Sequence, residues 1–324
     1  MPGKNIVVCC DGTGNEYGPH NTNVVGVFEA IVRDGEQVGF YDPGVGTFST
    51  LGRNAGKWAG KVLGKGFGWG LQQNIEDAYE YLMNHYEAGD RLYLFGFSRG
   101  AYTARALAGM LHKCGLLQRG SKNLLPYASE MYNARDNAAI AEGFKETFCQ
   151  PCKPYFVGVW DTVASLGYFF GKRFFDATLH AETPYGYHAL AIDEQRSKFL
   201  PSIWSEDNDV LEQVVEQVWF PGVHSDVGGS YAERGLSDGA LKWLLGRAEA
   251  AGMRLRPGWD ANCRPDPTAG NAQHQSRVRW WRLLPKVQRE IPEGAKIHQS
   301  VIERMGAGIG YEPPNLPERY VVVN

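Results

Sequence analysis

The sequence predicts an α/β fold in which helices cover both faces of a mostly parallel sheet. Three observations lead there. Apolar runs of strand length alternate with segments of helical spacing along most of the chain. Several runs end directly in a loop carrying Asp, Gly or His, as strands do when they deliver the chain to a crevice at their carboxyl ends. One run, residues 92–95, enters Gly96-Phe97-Ser98-Arg99-Gly100 and passes at once into an alanine-rich stretch with helical periodicity.

The elements follow in order. Residues 6–10 read as a buried strand ending in Asp11-Gly12-Thr13-Gly14-Asn15, and Thr22-Asn23 opens a helix to Val32. Residues 38–41 form a second strand that runs into Asp42-Pro43-Gly44. Residues 71–86 are helical, with Ile75, Ala78, Tyr79 and Leu82 on one face. The strand before Ser98 and its helix come next, then short helical patterns over 121–147. Residues 154–160 are a strand ending at Asp161, and 214–220 another, ending in Pro221-Gly222-Val223-His224. A helix runs from Ser237-Asp238 to Ala251, and a last helical candidate lies near 297–305. No linker divides the core, so residues 1–324 read as one domain, with a glycine-rich insertion at about 44–70 and a lid at about 165–210.

Composition narrows the function. A net charge of −3 provides no basic field for nucleic acid. No apolar run approaches the roughly 20 residues that cross a bilayer. The first residues lack the pattern of a cleaved secretory leader. Synthesis in the cytoplasm is therefore expected, with any export by a route that removes no leader. The six cysteines have no disulfide-framework spacing and are expected to be free thiols. Cys149 and Cys152 have redox or zinc spacing, but no second pair completes a metal site.

The turn at Ser98 carries the chemistry. A serine hydroxyl attacks a carbonyl only when held exposed beside a base, with backbone amides aimed at the oxyanion it creates. The glycines at 96 and 100 allow such a turn between strand and helix. The fold is accordingly α/β-hydrolase-like. Of eight histidines, His224 alone directly follows a strong strand, and it is the expected base. Asp161 ends another strand between serine and histidine in chain order and is the expected acid. Asp226, two residues from His224, is the competitor, or else binds amides of its own glycine-rich loop. The Arg99 amide, at a helix start, is one expected oxyanion donor; Gly12 or Thr13 is the second, unless Asp11-Gly12-Thr13 is only a turn. Asp11 and Asp226 are expected to support the site. This chemistry calls for no cofactor and no metal.

With these residues assembled, the chain resembles the α/β-hydrolase-like domain of the phospholipase effectors of bacterial type VI secretion. The blocks that carry the resemblance are Cys10-Asp11-Gly12-Thr13, Asn21-Thr22-Asn23, Asp42-Pro43-Gly44-Val45-Gly46-Thr47, the run from Gly96 to Arg105, Gly158-Val159-Trp160-Asp161-Thr162-Val163, Ala191-Ile192-Asp193-Glu194-Gln195-Arg196, and the run from Gln217 to Tyr231. The resemblance implies a triad of Ser98, Asp161 and His224, lipid acyl-ester hydrolysis, and a secretion-system or immunity-protein partner. Gly14 departs from it, standing where the family usually has an aromatic residue.

Within the insertion, Gly52, Gly56, Gly60, Gly64 and Gly68 recur every four residues, in step with Arg53, Lys57, Lys61 and Lys65. A helix there would present small and basic stripes to an anionic membrane. Because glycine costs a helix about 1 kcal/mol per residue, a mobile glycine-rich loop or lid is the favoured reading. Two rival functions stand beside ester hydrolysis. One uses Asp11, Asp161, His224 and Asp226 as ligands of a metal for phosphoester hydrolysis. The other is an inactive hydrolase fold that binds a secretion or toxin partner.

Overall fold

Parallel strands buried on both faces read as near-continuous apolar runs, as residues 6–10, 92–95 and 156–160 of this chain do. The computed structural model describes residues 3–12, 15, 17–44, 59–134, 137–163, 178–205, 212–270 and 273–324. Its strands are β1 (Asn5–Cys10), β2 (Gln37–Asp42), β3 (Arg91–Phe97), β4 (Leu116–Leu117), β5 (Cys149–Gln150), β6 (Pro154–Trp160), β7 (Tyr185–Ala191), β8 (Val214–Phe220), β9 (Lys296–His298) and β10 (Val321–Val323). Eight of them form one sheet in the order β10-β9-β8-β7-β6-β3-β1-β2. Every pairing within it is parallel. The short β4 and β5 make a separate antiparallel ribbon.

Successive side chains of β1 go to opposite faces. Ile6, Val8 and Cys10 pack with helices α2 (Ala59–His85) and α3 (Arg99–Cys114). Val7 and Cys9 pack with α1 (Asn23–Ala30) and the helix Gly235–Ala250. The Thr22 hydroxyl starts α1 by accepting from the Val25 amide (3.4 Å), and it donates to Asp11 Oδ2 (2.6 Å). Such a cap contributes about 1 kcal/mol.

From β1 the chain moves to β2 on one side and then to β3 on the other. The sheet order reverses between β1 and β3, and the crevice of a parallel sheet opens at the carboxyl ends of such a pair. Gly12 follows β1 and Ser98 follows β3. Helix α3 must start hard against β1 to hold this edge. A Cβ at Gly100 would lie 2.1 Å from the Cys10 carbonyl oxygen and 2.5 Å from that of Asp11. Both are backbone atoms and cannot swing aside. We expect Gly100→Ala to destabilise the fold by about 3 kcal/mol or more in urea unfolding, at or beyond the usual range for overpacking. An unchanged urea midpoint would contradict this packing.

Two features depart from the expected elements. Residues 185–191, inside the stretch expected to be a lid, are β7, buried between β6 and β8. A cover cannot extend through a central strand. Residues 164–177 and 206–211 of that stretch lie outside the described residues. The glycine-rich segment is helical from Ala59 onward rather than a loop, and its first part, residues 45–58, lies outside the described residues. A helix already nucleated by the amphipathic 71–85 stretch extends at the cost of propagation alone, which glycine weakens but does not forbid.

All six cysteines are free, and burial pushes the Cys149 thiol up to about 11. The thiolate is the reactive form, so Cys149 is a poor nucleophile at neutral pH.

Candidate active site

Ser98 sits between β3 and α3 with φ 59° and ψ −117°. A non-glycine residue with positive φ costs roughly 1–3 kcal/mol unless its surroundings enforce it. Here they do. The Ser98 amide donates to the Trp160 carbonyl (3.0 Å), and the Gly96 and Gly100 backbones are in contact. Asp161, after β6, is also left-handed (φ 42°), and its amide donates to the Ala189 carbonyl (2.8 Å). Of the three non-glycine residues with positive φ among the described residues, two are thus Ser98 and Asp161, each at the end of a strand facing the crevice, and the third is Ser230.

His224 lies between them. Its Nε2 is 2.7 Å from Ser98 Oγ, and its Nδ1 is 2.5 Å from Asp161 Oδ2. The ring is packed between Phe97 and Phe199, with centroids 4.6 Å and 4.9 Å away. Burial pushes the imidazole below its ordinary pKa, partly offset by the hydrogen bond and charge of Asp161. Burial alone would raise the Asp161 carboxyl. The Arg289 guanidinium and His224 outweigh it and hold the acid far below the usual carboxylate range. A carboxylate that stays ionised keeps the proton on Nδ1, leaving Nε2 with a lone pair toward the serine.

The residues expected to support the site divide. Asp161, not Asp226, meets His224. Asp226 Oδ2 accepts from the Val223 amide (2.9 Å), tying the start of the one-turn helix His224–Gly228, while Oδ1 meets His274 Nδ1 (2.6 Å). Asp11 accepts from the Gly12 amide, Asn15, Thr22 and Tyr41. The four residues of the metal reading are therefore engaged in three separate sets of bonds, one around Asp11, one around Asp226, and one between Asp161 and His224. Gly12 does lie against Ser98: a Cβ there would be 3.4 Å from the Ser98 Cβ. Its amide already donates to Asp11 Oδ1 (2.6 Å), so serving an oxyanion requires exchanging or sharing that bond. Thr13 lies outside the described residues. The Arg99 amide opens α3, where the helix dipole favours negative charge.

Several residues of the site were given no role by sequence reasoning. Asn23 is fully buried and donates to the Val227 and Ser237 carbonyls, fastening α1 to the His224 turn. Glu194 accepts from the His224 amide (3.3 Å), from Arg196 and from Ser276. His188 sits in β7, inside the stretch expected to be a lid. Its Nε2 accepts from the Thr162 amide (3.1 Å), and burial drives it down to about 3, so it is a neutral support for the Asp161 turn. Arg289 reaches Asp161 from far along the chain, with nothing in its sequence setting to mark it. The Ala191–Arg196 and Asn21–Asn23 blocks were the available signals for Glu194 and Asn23, but they named no role.

A serine on a strained strand-to-helix turn, at the switch point of a parallel sheet and hydrogen-bonded to a histidine that in turn meets an aspartate, is the arrangement of an α/β protein of hydrolase type. The comparisons place it further. Residues 4–247 match the family described as T6SS, phospholipase effector Tle1-like, catalytic domain, and the chain belongs to that family. It is 33% identical over 219 residues to an uncharacterized protein of Saccharomyces cerevisiae, a match covering 61% of this chain and 32% of the yeast protein. A crystal structure of an uncharacterized protein from Pseudomonas aeruginosa resembles it with TM-score 0.50 and 21% identity, over 82% of this chain and 49% of that one. The Tle1 effector bound to the VgrG spike of the type 6 secretion system aligns with TM-score 0.46 and 18% identity, over 72% and 52%. The chain thus spans about a third to a half of the length of these relatives.

Proposed function

We propose that the protein is a serine ester hydrolase that cleaves lipid acyl esters, phospholipids foremost, through an acyl-enzyme. The observation that carries this reading is the unbroken row Ser98 Oγ, His224 imidazole, Asp161 carboxylate, with separations of 2.7 Å and 2.5 Å. Ser98 Oγ attacks the acyl carbonyl carbon as His224 Nε2 takes its proton. The oxyanion forms beside the first amides of α3, Arg99 foremost, with the Gly12–Thr13 backbone as the second donor. Collapse expels the alcohol, which His224 protonates. Water, deprotonated by the same Nε2, then releases the acid from Ser98. The family assignment supports a phospholipid substrate.

The testing experiment is fluorophosphonate labelling with peptide mapping, followed by turnover of a panel of phospholipids and short-chain esters. Ser98 is expected to be the labelled residue. Labelling elsewhere, or none, would overturn the mechanism.

The pH profile follows from the environment of His224. The base must be neutral, and burial places its folded pKa below the ordinary 6.5. Protonation therefore removes activity only on the acid side. We expect kcat/KM on a soluble ester to rise through one ionisation with a midpoint below 6.5 and to stay level above it. A midpoint at or above 7 would contradict a buried base.

A membrane contact through the basic stripe and a secretion-system partner belong to the same proposal. The spacing of Lys57, Lys61 and Lys65 in the sequence motivates the membrane contact, and the family's description as a type 6 secretion effector motivates the partner. Removing the charges of Lys57, Lys61 and Lys65 is expected to weaken sedimentation with anionic vesicles. Equal sedimentation of both proteins would remove the membrane contact.

A further inference from the structure

We propose that Arg289 is a positioning residue of the Asp161–His224 pair, clamping both carboxylate oxygens and setting the strength of the base. The inference rests on the reading of Ser98, His224 and Asp161 given above and deepens it. Arg289 Nη1 donates to Asp161 Oδ1 (2.5 Å) and Nη2 to Oδ2 (2.9 Å), a fork-on-carboxylate pair with both side chains essentially buried. The same nitrogens donate to the Ala191 carbonyl (2.7 Å) and the Phe199 carbonyl (2.6 Å). The guanidinium is thus fixed to the end of β7 and to the loop whose Phe199 packs on the His224 ring. Asn315 holds the backbone behind it, donating to the Arg289 carbonyl (3.0 Å) and the Ile192 carbonyl (3.2 Å). Arg289 lies beyond residues 4–247, which match the catalytic-domain family.

The geometry has two consequences. The clamp leaves Asp161 one orientation, with Oδ1 taken by Arg289 and the Ala191 amide (3.0 Å) and Oδ2 turned toward His224. It also shares the carboxylate charge with a second cation. An acid neutralised from behind stabilises an imidazolium less, so the clamp trades base strength for orientation and moves the working range of His224 to lower pH. The other charged groups around the pair are Glu194 and Arg196 beside His224, Asp226 on the turn of His224, and His188 and Arg105 behind Asp161. Glu194 is itself paired with Arg196, Asp226 with His274, His188 is neutral and Arg105 donates to the Ser202 carbonyl, so that among the described residues Arg289 is the arginine hydrogen-bonded to the acid.

The test titrates the His224 imidazole by NMR in the wild type, Arg289→Met and Arg289→Gln, a readout that needs no turnover. Loss of the cation is expected to raise the His224 midpoint by about 0.5–1 unit, since direct opposite charges shift a pKa by about 1–3 and this effect is relayed. The acid limb of fluorophosphonate labelling should move with it. Arg289→Lys, which keeps the charge, supplies the second arm. Its midpoint should stay near wild type while its labelling rate at saturating pH falls about tenfold, because a point cation cannot hold both oxygens. An unmoved midpoint in a folded neutral variant, or an unimpaired Arg289→Lys, would overturn the proposal. A purely structural role predicts lower unfolding midpoints in all three with no change in titration. Failure of the wild type to label at Ser98 would count against the hydrolase reading and leave the His224 titration to decide the role of Arg289.

Discussion

Ser98→Ala is expected to reduce ester turnover by about 10³-fold or more while leaving the protein folded. In the proposed mechanism the serine supplies the bond-forming atom, and residual rates in triad enzymes come from the oxyanion site and binding alone. Folding should survive because, among the described residues, the hydroxyl's hydrogen-bond partner is His224, and the φ of 59° is no more costly for alanine than for serine. Circular dichroism and urea unfolding check the fold, and turnover of the best ester from the panel checks the rate. His224→Ala should lose a similar factor without a matching additive loss in the double variant, since the two act as a unit. Undiminished hydrolysis by Ser98→Ala would remove the acyl-enzyme.

Asp161→Asn is expected to damage activity and stability together. Its amide oxygen will take the Oδ1 place, where Arg289 and the Ala191 amide both donate. The NH₂ group then faces His224 Nδ1 and forces the imidazole proton onto Nε2, the tautomer that cannot accept from serine. Turnover should fall by about 10³–10⁴-fold. The NH₂ group also meets Arg289 Nη2, leaving a buried guanidinium without its counter-charge, a change that costs about 3–5 kcal/mol. Urea unfolding reads the second effect. Adding Arg289→Met to Asp161→Asn should recover much of the stability and none of the turnover. A single variant as stable as wild type would mean that the pair is not the buried ion pair described here.

The strand, turn and helix around Ser98 were legible because their signals lie within some twenty-five adjacent residues and are set by local backbone demands. Asp161 and His224 were legible because each directly follows an apolar strand, and a parallel sheet gathers strand ends at one edge. Strand β7 was not. Tyr185-Gly186-Tyr187-His188-Ala189-Leu190-Ala191 carries a glycine and a histidine, and a strand buried on both faces shows no alternation to betray it. Its histidine is tolerated because the Thr162 amide and Gln217 satisfy the ring. The three-residue strands β9 and β10 are too short for any periodicity. The glycine-rich start of α2 misled because its composition argues for a loop, whereas an adjoining helix can propagate into it.

Residue order along the chain was enough for the fold class and for placing Ser98, His224 and Asp161 at strand ends, because backbone geometry at a strand end is a local matter. The selection between Asp161 and Asp226, the engagement of the Gly12 amide by Asp11, and the arrival of Arg289 at the acid needed the folded molecule. These depend on which polar groups are driven out of water next to one another. Burial makes every such group find a partner, and in a sheet wound from distant segments that partner is set by packing rather than by nearness in the chain.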